Sequence, residues 1–170
     1  MITAIEALGK HDRAAFSCGV AALDDWFRQR AGQDDRRNVA RVFVALDDQL
    51  GIVGFYSLNS FTLTIADLPP NHAKRLPRYD MIPAALIGRL ARDQRVRGEG
   101  IGELLLADAV RRILDAARSL AVFAIVVDAM DERAAAFYRR FGFSPFPSRP
   151  LRLFMPASDA ADALVRSLPK

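Results

Sequence analysis

The sequence predicts an α/β (α+β) protein built on a mixed sheet with helices on its faces. Three observations carry that expectation. Short runs rich in β-branched and aromatic residues alternate with segments of helical period. One apolar run, Ala84 to Asp93, leads through a glycine-rich loop directly into a helical pattern. A second continuous apolar run, Ala121 to Ala129, follows that helix. If these two strands are parallel, they are neighbours on a right-handed crossover.

Taken in order, Val20, Leu23, Trp26, Phe27 and Arg30 recur at helical spacing after Phe16-Ser17-Cys18-Gly19, with Ser17 placed as a cap. The polar stretch Gly32 to Asn38 is expected to end this helix. Ala40 to Leu46 then reads as a strand, closed by the turn residues Asp47-Asp48-Gln49. Ile52 to Leu58 reads as a second strand and Phe61 to Ile65, with its alternation of apolar residues and Thr, as a half-buried third, making an antiparallel meander. Between Asp67 and Pro83 the prolines Pro69, Pro70, Pro77 and Pro83 accumulate among Lys74, Arg75 and Arg78, which predicts a long irregular connection with at most one helical turn.

The central strand ends at Asp93. Ile101, Leu104, Leu105, Ala109, Ile113 and Ala116 then form an amphipathic helix to about Arg118. After the buried strand Ala121 to Ala129, Asp131 caps a helix over Glu132 to Phe141 that stops at Gly142. Phe143 begins another strand, Pro145, Pro147 and Pro150 mark a loop, Leu151 to Met155 is the last strand, and Ser158 to Leu168 a final helix. Phe143, Phe146 and Phe154 are expected in the core rather than on a dimer face.

At 170 residues the chain suits one domain, 1–170, and its 51% hydrophobic and 26% charged residues exclude disordered and fibrous classes. No run approaches the roughly 18 apolar residues of a membrane span, and no basic segment followed by an apolar stretch opens the chain, so the cytoplasm is the expected compartment. The single cysteine, Cys18, has no intramolecular partner and no adjacent base, and is expected to be a buried structural thiol. The net charge is +4 with 21 Arg against 3 Lys. Arginine forks grip phosphates bidentately, which suits an anionic cofactor or a nucleic acid; an arginine-rich composition of the genome accounts for the bias equally well.

Three glycines at 98, 100 and 102, between a strand and a helix, let backbone approach a ligand and present several unpaired N–H groups to an anion. Arg95 and Arg97 flank the loop and suit phosphate oxygens. A plain tight turn into a helix would also explain such a loop. The spacing Gly-x-Gly-x-Gly in mid-chain is not the dinucleotide fingerprint, and Gly102 is followed by Glu103 instead of the Lys-Ser/Thr of a nucleotide triphosphatase loop. No metal-ligand set is expected. His11 and His72, the only histidines, lie in connections and do not stand out as bases.

Arg95-x-x-Gly98-x-Gly100 after one strand, with Phe137-Tyr138-x-x-x-Gly142-Phe143 after the next, resembles the GCN5-related N-acetyltransferase (GNAT) superfamily. The resemblance implies a mostly antiparallel mixed sheet, splayed between two central strands that admit the pantetheine arm of acetyl-CoA. It implies backbone pairing of that arm with Leu90, Ala91 and Arg92, and contact of the pyrophosphate with the amides of Gly98, Glu99, Gly100, Ile101, Gly102 and Glu103. Tyr138 takes the place of the tyrosine that protonates the departing thiolate, and Asp131 stands where many members carry a cofactor-contacting Asn. Arg92 departs from the small apolar residue common there, which leaves backbone pairing possible and alters the acceptor cleft.

A second resemblance covers nearly the whole chain. Phe16-x-Cys18-Gly19-x-x-x-Leu23-Asp24-x-Trp26-Phe27, Arg41-x-Phe43-Val44, Leu76-Pro77-Arg78-Tyr79, Arg89-Leu90-Ala91 and Asp128-Ala129 are similar to the TacT/AtaT class of acetyltransferase toxins. It implies acetylation of the α-amino group of aminoacyl-tRNA, a block of translation, a homodimer, and neutralisation by a ribbon-helix-helix antitoxin through which alone operator DNA would be bound. Arg36, Arg37, Arg75, Arg78, Arg89, Arg92, Arg139, Arg140 and Arg149 are the pool for a basic RNA-binding groove. A GNAT enzyme acting on a small amine, an antibiotic or a protein N-terminus is the first competing reading. A catalytically silent acetyl-CoA-binding or regulatory partner is the second, and an intact loop and Tyr138 disfavour it.

Overall fold

A computed structural model describes residues 1–167, and these form two compact units. The first comprises Met1–Asn59 with Gly88–Ala109, the second Ser60–Ile87 with the chain from Val110 onward. Two long strands and one helix run through both.

In the first unit, β1 (Ile2–Ala7), β2 (Arg41–Asp47) and the first part of β3 (Gly51–Thr64) form an antiparallel meander, Ile5 facing Ala45 and Val44 facing Phe55. β4 (Met81–Arg92) follows β3 in the sheet order. Helix α1 (Ala21–Gln29) presents Trp26 and Phe27 to the sheet, where Phe27 stacks on Phe55 with centroids 4.2 Å apart and planes 4° from parallel. Phe16 meets both rings edge-on, and Val42, Val44, Ile52 and Ala91 complete the cluster. Large rings removed from water at this density supply the main stabilisation of the unit.

The second unit carries the order β3-β4-β5-β7-β6, with β5 (Ala124–Asp128), β6 (Ser144–Phe146) and β7 (Arg149–Pro156). β5 runs parallel to β4, as strand, loop, helix and strand require, and antiparallel to β7. The parallel register spans Ala84 to Ile87 against Ala124 to Val127, after which β4 continues for Gly88 to Arg92. Helix α4 (Ile101–Ala116) is the crossover; α5 (Glu132–Phe141) and α6 (Ala157–Ser167) follow β5 and β7. Leu63, Leu68, Ala84, Ala124, Val126, Phe146 and Phe154 are the core of this unit. Phe143 is 3% exposed, so all three late phenylalanines pack inside.

Several expectations need correction. Ser17 does not cap α1: the cap residue is Val20, without a side-chain bond, and Ser17 Oγ instead donates to Asp24 Oδ2 at 2.9 Å. The buried Asp24 accepts from the Cys18 amide too, so it ties the preceding loop down from inside the helix. Gly32 to Asn38 is no plain break, since α2 (Ala31–Arg36) occupies most of it and the turn ends at Asn38 with φ 59°. The second and third strands are one, β3, because sheet neighbours carry the backbone through the turn-formers Asn59 and Ser60. β1 was not expected; its Ile-Thr-Ala-Ile alternation is only half-buried at the sheet edge. β7 begins at Arg149, so Pro150 lies within a strand flanked by β5 and β6, at its second residue and ahead of the register with β5 that starts at Arg152. The connection after β3 holds a 3-10 turn, Ile65–Asp67, and one short helix, α3 (Pro70–Ala73). Leu168, the expected end of the last helix, lies outside the described residues.

Candidate active site

In the first unit the end of β4 leads into the glycine loop. Asp93 is 1% exposed and fixes this junction. Its carboxylate accepts from the Arg95 amide at 2.8 Å, from Arg95 Nε and Nη2 at 2.9 Å each, and from the Ser17 amide at 3.1 Å. Burial pushes its pKa up, but the Arg95 bonds outweigh that and hold it below the usual carboxylate range. The Arg95 guanidinium is therefore committed to Asp93, and Arg97 is the loop arginine without such a partner.

Gly98 and Gly100 adopt φ of 82° and 78°, conformations that an L side chain rarely takes. No chain atom lies within 4 Å of a Cβ built at Gly98, so backbone conformation demands glycine there, not crowding. The Arg97 and Glu99 amides donate to Gln94 and Val96 carbonyls, and the first helical amide with an intrachain acceptor is that of Leu104, on Gly100. The N–H groups of Gly98, Gly100, Ile101, Gly102 and Glu103 are left for a ligand at the positive end of α4. Ile101 and Leu105 are buried, and Gly54 of β3 makes room for them: a Cβ there would lie 2.8 Å from Leu105 Cδ1 and 3.3 Å from Ile101 Cγ2. Gly54 escaped sequence reading, although a glycine inside an apolar strand is a sign of close approach.

Leu90, Ala91 and Arg92 lie on β4 past the end of its pairing with β5. Arg89, just before them, is half-buried with its guanidinium carbon 4.0 Å from the centre of the Trp26 ring, whose Nε1 donates to Asp34. Burial lowers the Arg89 pKa, opposed by Asp34.

In the second unit, Asp131 Oδ1 accepts from the Ala134 amide at 2.8 Å, so this carboxylate caps α5 as expected. The helix stops at Gly142, φ 122°. Tyr138 sits on its buried face, 5% exposed, with its ring against Phe137 and Phe143. Burial, reinforced by the charge of Asp128, raises its pKa far above the ordinary phenol value.

Asp128, at the end of β5, is gripped bidentately by Arg152, Nε to Oδ1 at 2.7 Å and Nη2 to Oδ2 at 3.0 Å. Arg152 lies 5.0 Å from the centre of the Phe61 ring and, with Arg149, Asp67, Ser148 and Phe146, lines a cleft of about 230 Å³.

Of the remaining arginines, Arg36 and Arg37 are exposed at the end of α2, and Arg75, Arg78 and Arg140 are exposed in the second unit. Arg139 pairs with Glu132. Among the described residues no group of His, Cys, Asp and Glu side chains is placed to hold a metal ion, and no helix is long and apolar enough to cross a membrane.

The GNAT acetyltransferase domain matches residues 38–145. The chain is 39% identical over 167 residues to a probable toxin TacT of Sinorhizobium fredii, covering 94% of this chain and 90% of that one. It is 39% identical over 149 residues to a tRNA-acetylating toxin of Mycobacterium tuberculosis, covering 88% of each. Among solved structures it is similar to AtaT complexed with acetyl-methionyl-tRNAfMet, at TM-score 0.86 and 27% identity over 95% of this chain and 98% of that one. AtaTR bound with acetyl-CoA matches at TM-score 0.80 and 27% identity over 93% and 95%. The AtaT–AtaR complex bound to DNA matches at 0.76 and 25% over 94% and 97%.

Proposed function

We propose, since this chain belongs to the GNAT family of acetyltransferases, that it moves the acetyl group of acetyl-CoA onto the α-amino group of the amino acid carried by charged tRNA and thereby blocks translation. The observation that carries the reading is the set of unpaired amides of Gly98, Gly100, Ile101, Gly102 and Glu103 at the start of α4, an arrangement fitted to a pyrophosphate. The acceptor is taken from the likeness to the tRNA-acetylating relative.

When bound, acetyl-CoA supplies an acetyl thioester. The free amides of Gly98, Gly100, Ile101, Gly102 and Glu103 hold its pyrophosphate, with Arg97 adding charge; Glu99 shapes the loop rather than donating, because its amide is engaged on Val96. Arg95 acts through Asp93 as a brace of the loop. The backbone of Leu90, Ala91 and Arg92 pairs with the pantetheine arm. Asp131 serves the site through the α5 cap. Tyr138 keeps its proton at Oη throughout the physiological range and would give it to the sulfur as the C–S bond breaks and the amine nitrogen bonds to the acetyl carbon; the proton that the nitrogen then loses would return to Tyr138, directly or through water, leaving amide, free thiol and neutral tyrosine. An α-amino group, with a pKa of roughly 8, has enough neutral form at pH 7 to attack without a strong protein base.

We further propose a cytoplasmic homodimer held inactive by a ribbon-helix-helix antitoxin that mediates contact with operator DNA; the likeness to an AtaT–AtaR complex bound to DNA supports an antitoxin partner. The deciding experiment is transfer of radiolabelled acetyl from acetyl-CoA to bulk aminoacyl-tRNA, beside deacylated tRNA and free amino acids. Label confined to charged tRNA is expected. Cofactor binding without label on RNA would overturn the acceptor and point to small amines or protein N-termini.

A further inference from the structure

Of eleven Phe, three Tyr and one Trp, every aromatic ring but one is buried or half-buried. The exception is Tyr79, 68% exposed. Its position is built rather than loose. Upstream, Ala73 and Leu76 pack on the core of the second unit, and the His72 ring meets Phe154 edge-on with centroids 5.1 Å apart. At the residue itself the Tyr79 amide donates to the Pro77 carbonyl at 2.8 Å. Immediately downstream, the Asp80 carbonyl accepts from the Ile65 amide at 3.0 Å. The backbone is pinned on both sides while the ring stands in water.

Charge gathers at the same place. Lys74, Arg75 and Arg78 are exposed, none has a carboxylate partner among the described residues, and Asp80 is the single acid between Leu68 and Met81. An exposed apolar ring costs free energy unless something covers it. Three unpaired cations beside it repel a basic partner and favour a polyanion that brings its own flat apolar face. A single-stranded nucleic acid has both features: bases stack on aromatic rings while phosphates meet the cations, and stacking is insensitive to base identity. A paired stem offers no such face along its length, because its internal bases are stacked on one another.

We infer that Tyr79 is a stacking platform for an unpaired nucleobase of the RNA acceptor, with Lys74, Arg75 and Arg78 on the adjoining phosphates. This rests on the tRNA reading above and sharpens it: the segment recognises the single-stranded end that carries the amino acid, not the duplex behind it. Tyr79 is a positioning residue and touches no reacting atom.

The test compares two fluorescein-labelled RNA hairpins, one blunt and one ending in four unpaired 3′ nucleotides, in anisotropy titrations with the full chain. The unaltered protein is expected to prefer the overhang by about tenfold, Tyr79→Ala to lose most of that preference, and Tyr79→Phe to keep it. With charged tRNA, Tyr79→Ala is expected to raise KM with kcat unchanged, and to leave acetyl-CoA affinity unaltered. Equal affinity of the unaltered protein for both hairpins, or an undiminished preference in Tyr79→Ala, overturns the inference. So does a Tyr79→Ala chain that binds both hairpins normally but changes its sedimentation, which would assign the ring to a protein contact. Absence of acetyl transfer to charged tRNA by the unaltered protein would instead strike at the proposed function, whatever the hairpins show.

Discussion

Tyr138 joins two properties that work in opposite directions. Its raised pKa guarantees that the proton is present, and the same burial makes the phenolate costly, so the proton is shared with the departing sulfur at the moment of bond breaking instead of being lost beforehand. Tyr138→Phe preserves the ring packing against Phe137 and Phe143 and removes only the hydroxyl. Steady-state kinetics should show kcat reduced by about two orders of magnitude with acetyl-CoA affinity retained; unchanged turnover would remove the assignment. Because the pKa is raised, the acid form persists as pH climbs, so no loss of kcat through Tyr138 is expected between pH 8 and 10. A pH–rate profile with a falling limb near the ordinary phenol value, abolished in Tyr138→Phe, would contradict this. The tyrosine was legible in the sequence through its place before Gly142-Phe143. The roles of Asp93 and Asp24 were not, because each buried carboxylate is explained only by the donors that folding brings to it: Ser17, 76 residues away in sequence, for Asp93, and the loop of Ser17 and Cys18 folded back onto α1 for Asp24.

At the scale of elements, the start of α4 depends on a residue 47 positions earlier. Gly54 lets Ile101 and Leu105 lie against β3, and these two side chains orient the turn whose amides face the ligand. Gly54→Val should force the helix outward at a cost of about 1–3 kcal/mol, the usual penalty of overpacking. Thermal denaturation should register the loss, and calorimetry should show weakened acetyl-CoA binding. A variant that is destabilised yet binds normally would mean that the helix start is positioned by the loop alone. The caps were readable because they are local: Asp131 and Gly142 sit where the pattern of α5 begins and ends. Strand length was not. Asn59 and Ser60 look like a turn in isolation, and only pairing within the sheet keeps β3 extended for 14 residues.

For the whole molecule, an excess of four positive charges, dominated by arginine, makes association with a polyanion dependent on counterion release. KM for charged tRNA is expected to rise at least about tenfold between roughly 50 and 200 mM salt, while acetyl-CoA affinity changes far less. A flat salt response would favour a small-amine acceptor. The order of strands and helices, and the parallel pair around α4, were deducible from periodicity and connection rules. The division of arginines into those that brace the protein, such as Arg95 and Arg152, and those left in water was invisible, because partners such as Asp93 and Asp128 acquire their role only when folded.

Cys18 gives the molecule a practical property. Partial burial, with Asp24 beside it, pushes this lone half-buried thiol up to about 11, so little of it is thiolate at neutral pH. Maleimide and iodoacetamide are therefore expected to react with the native chain far more slowly than with an ordinary exposed cysteine. A cysteine introduced at an exposed position, such as beside Arg75, can carry a fluorophore or spin label without first replacing Cys18, and the motion of that segment on meeting RNA becomes directly observable.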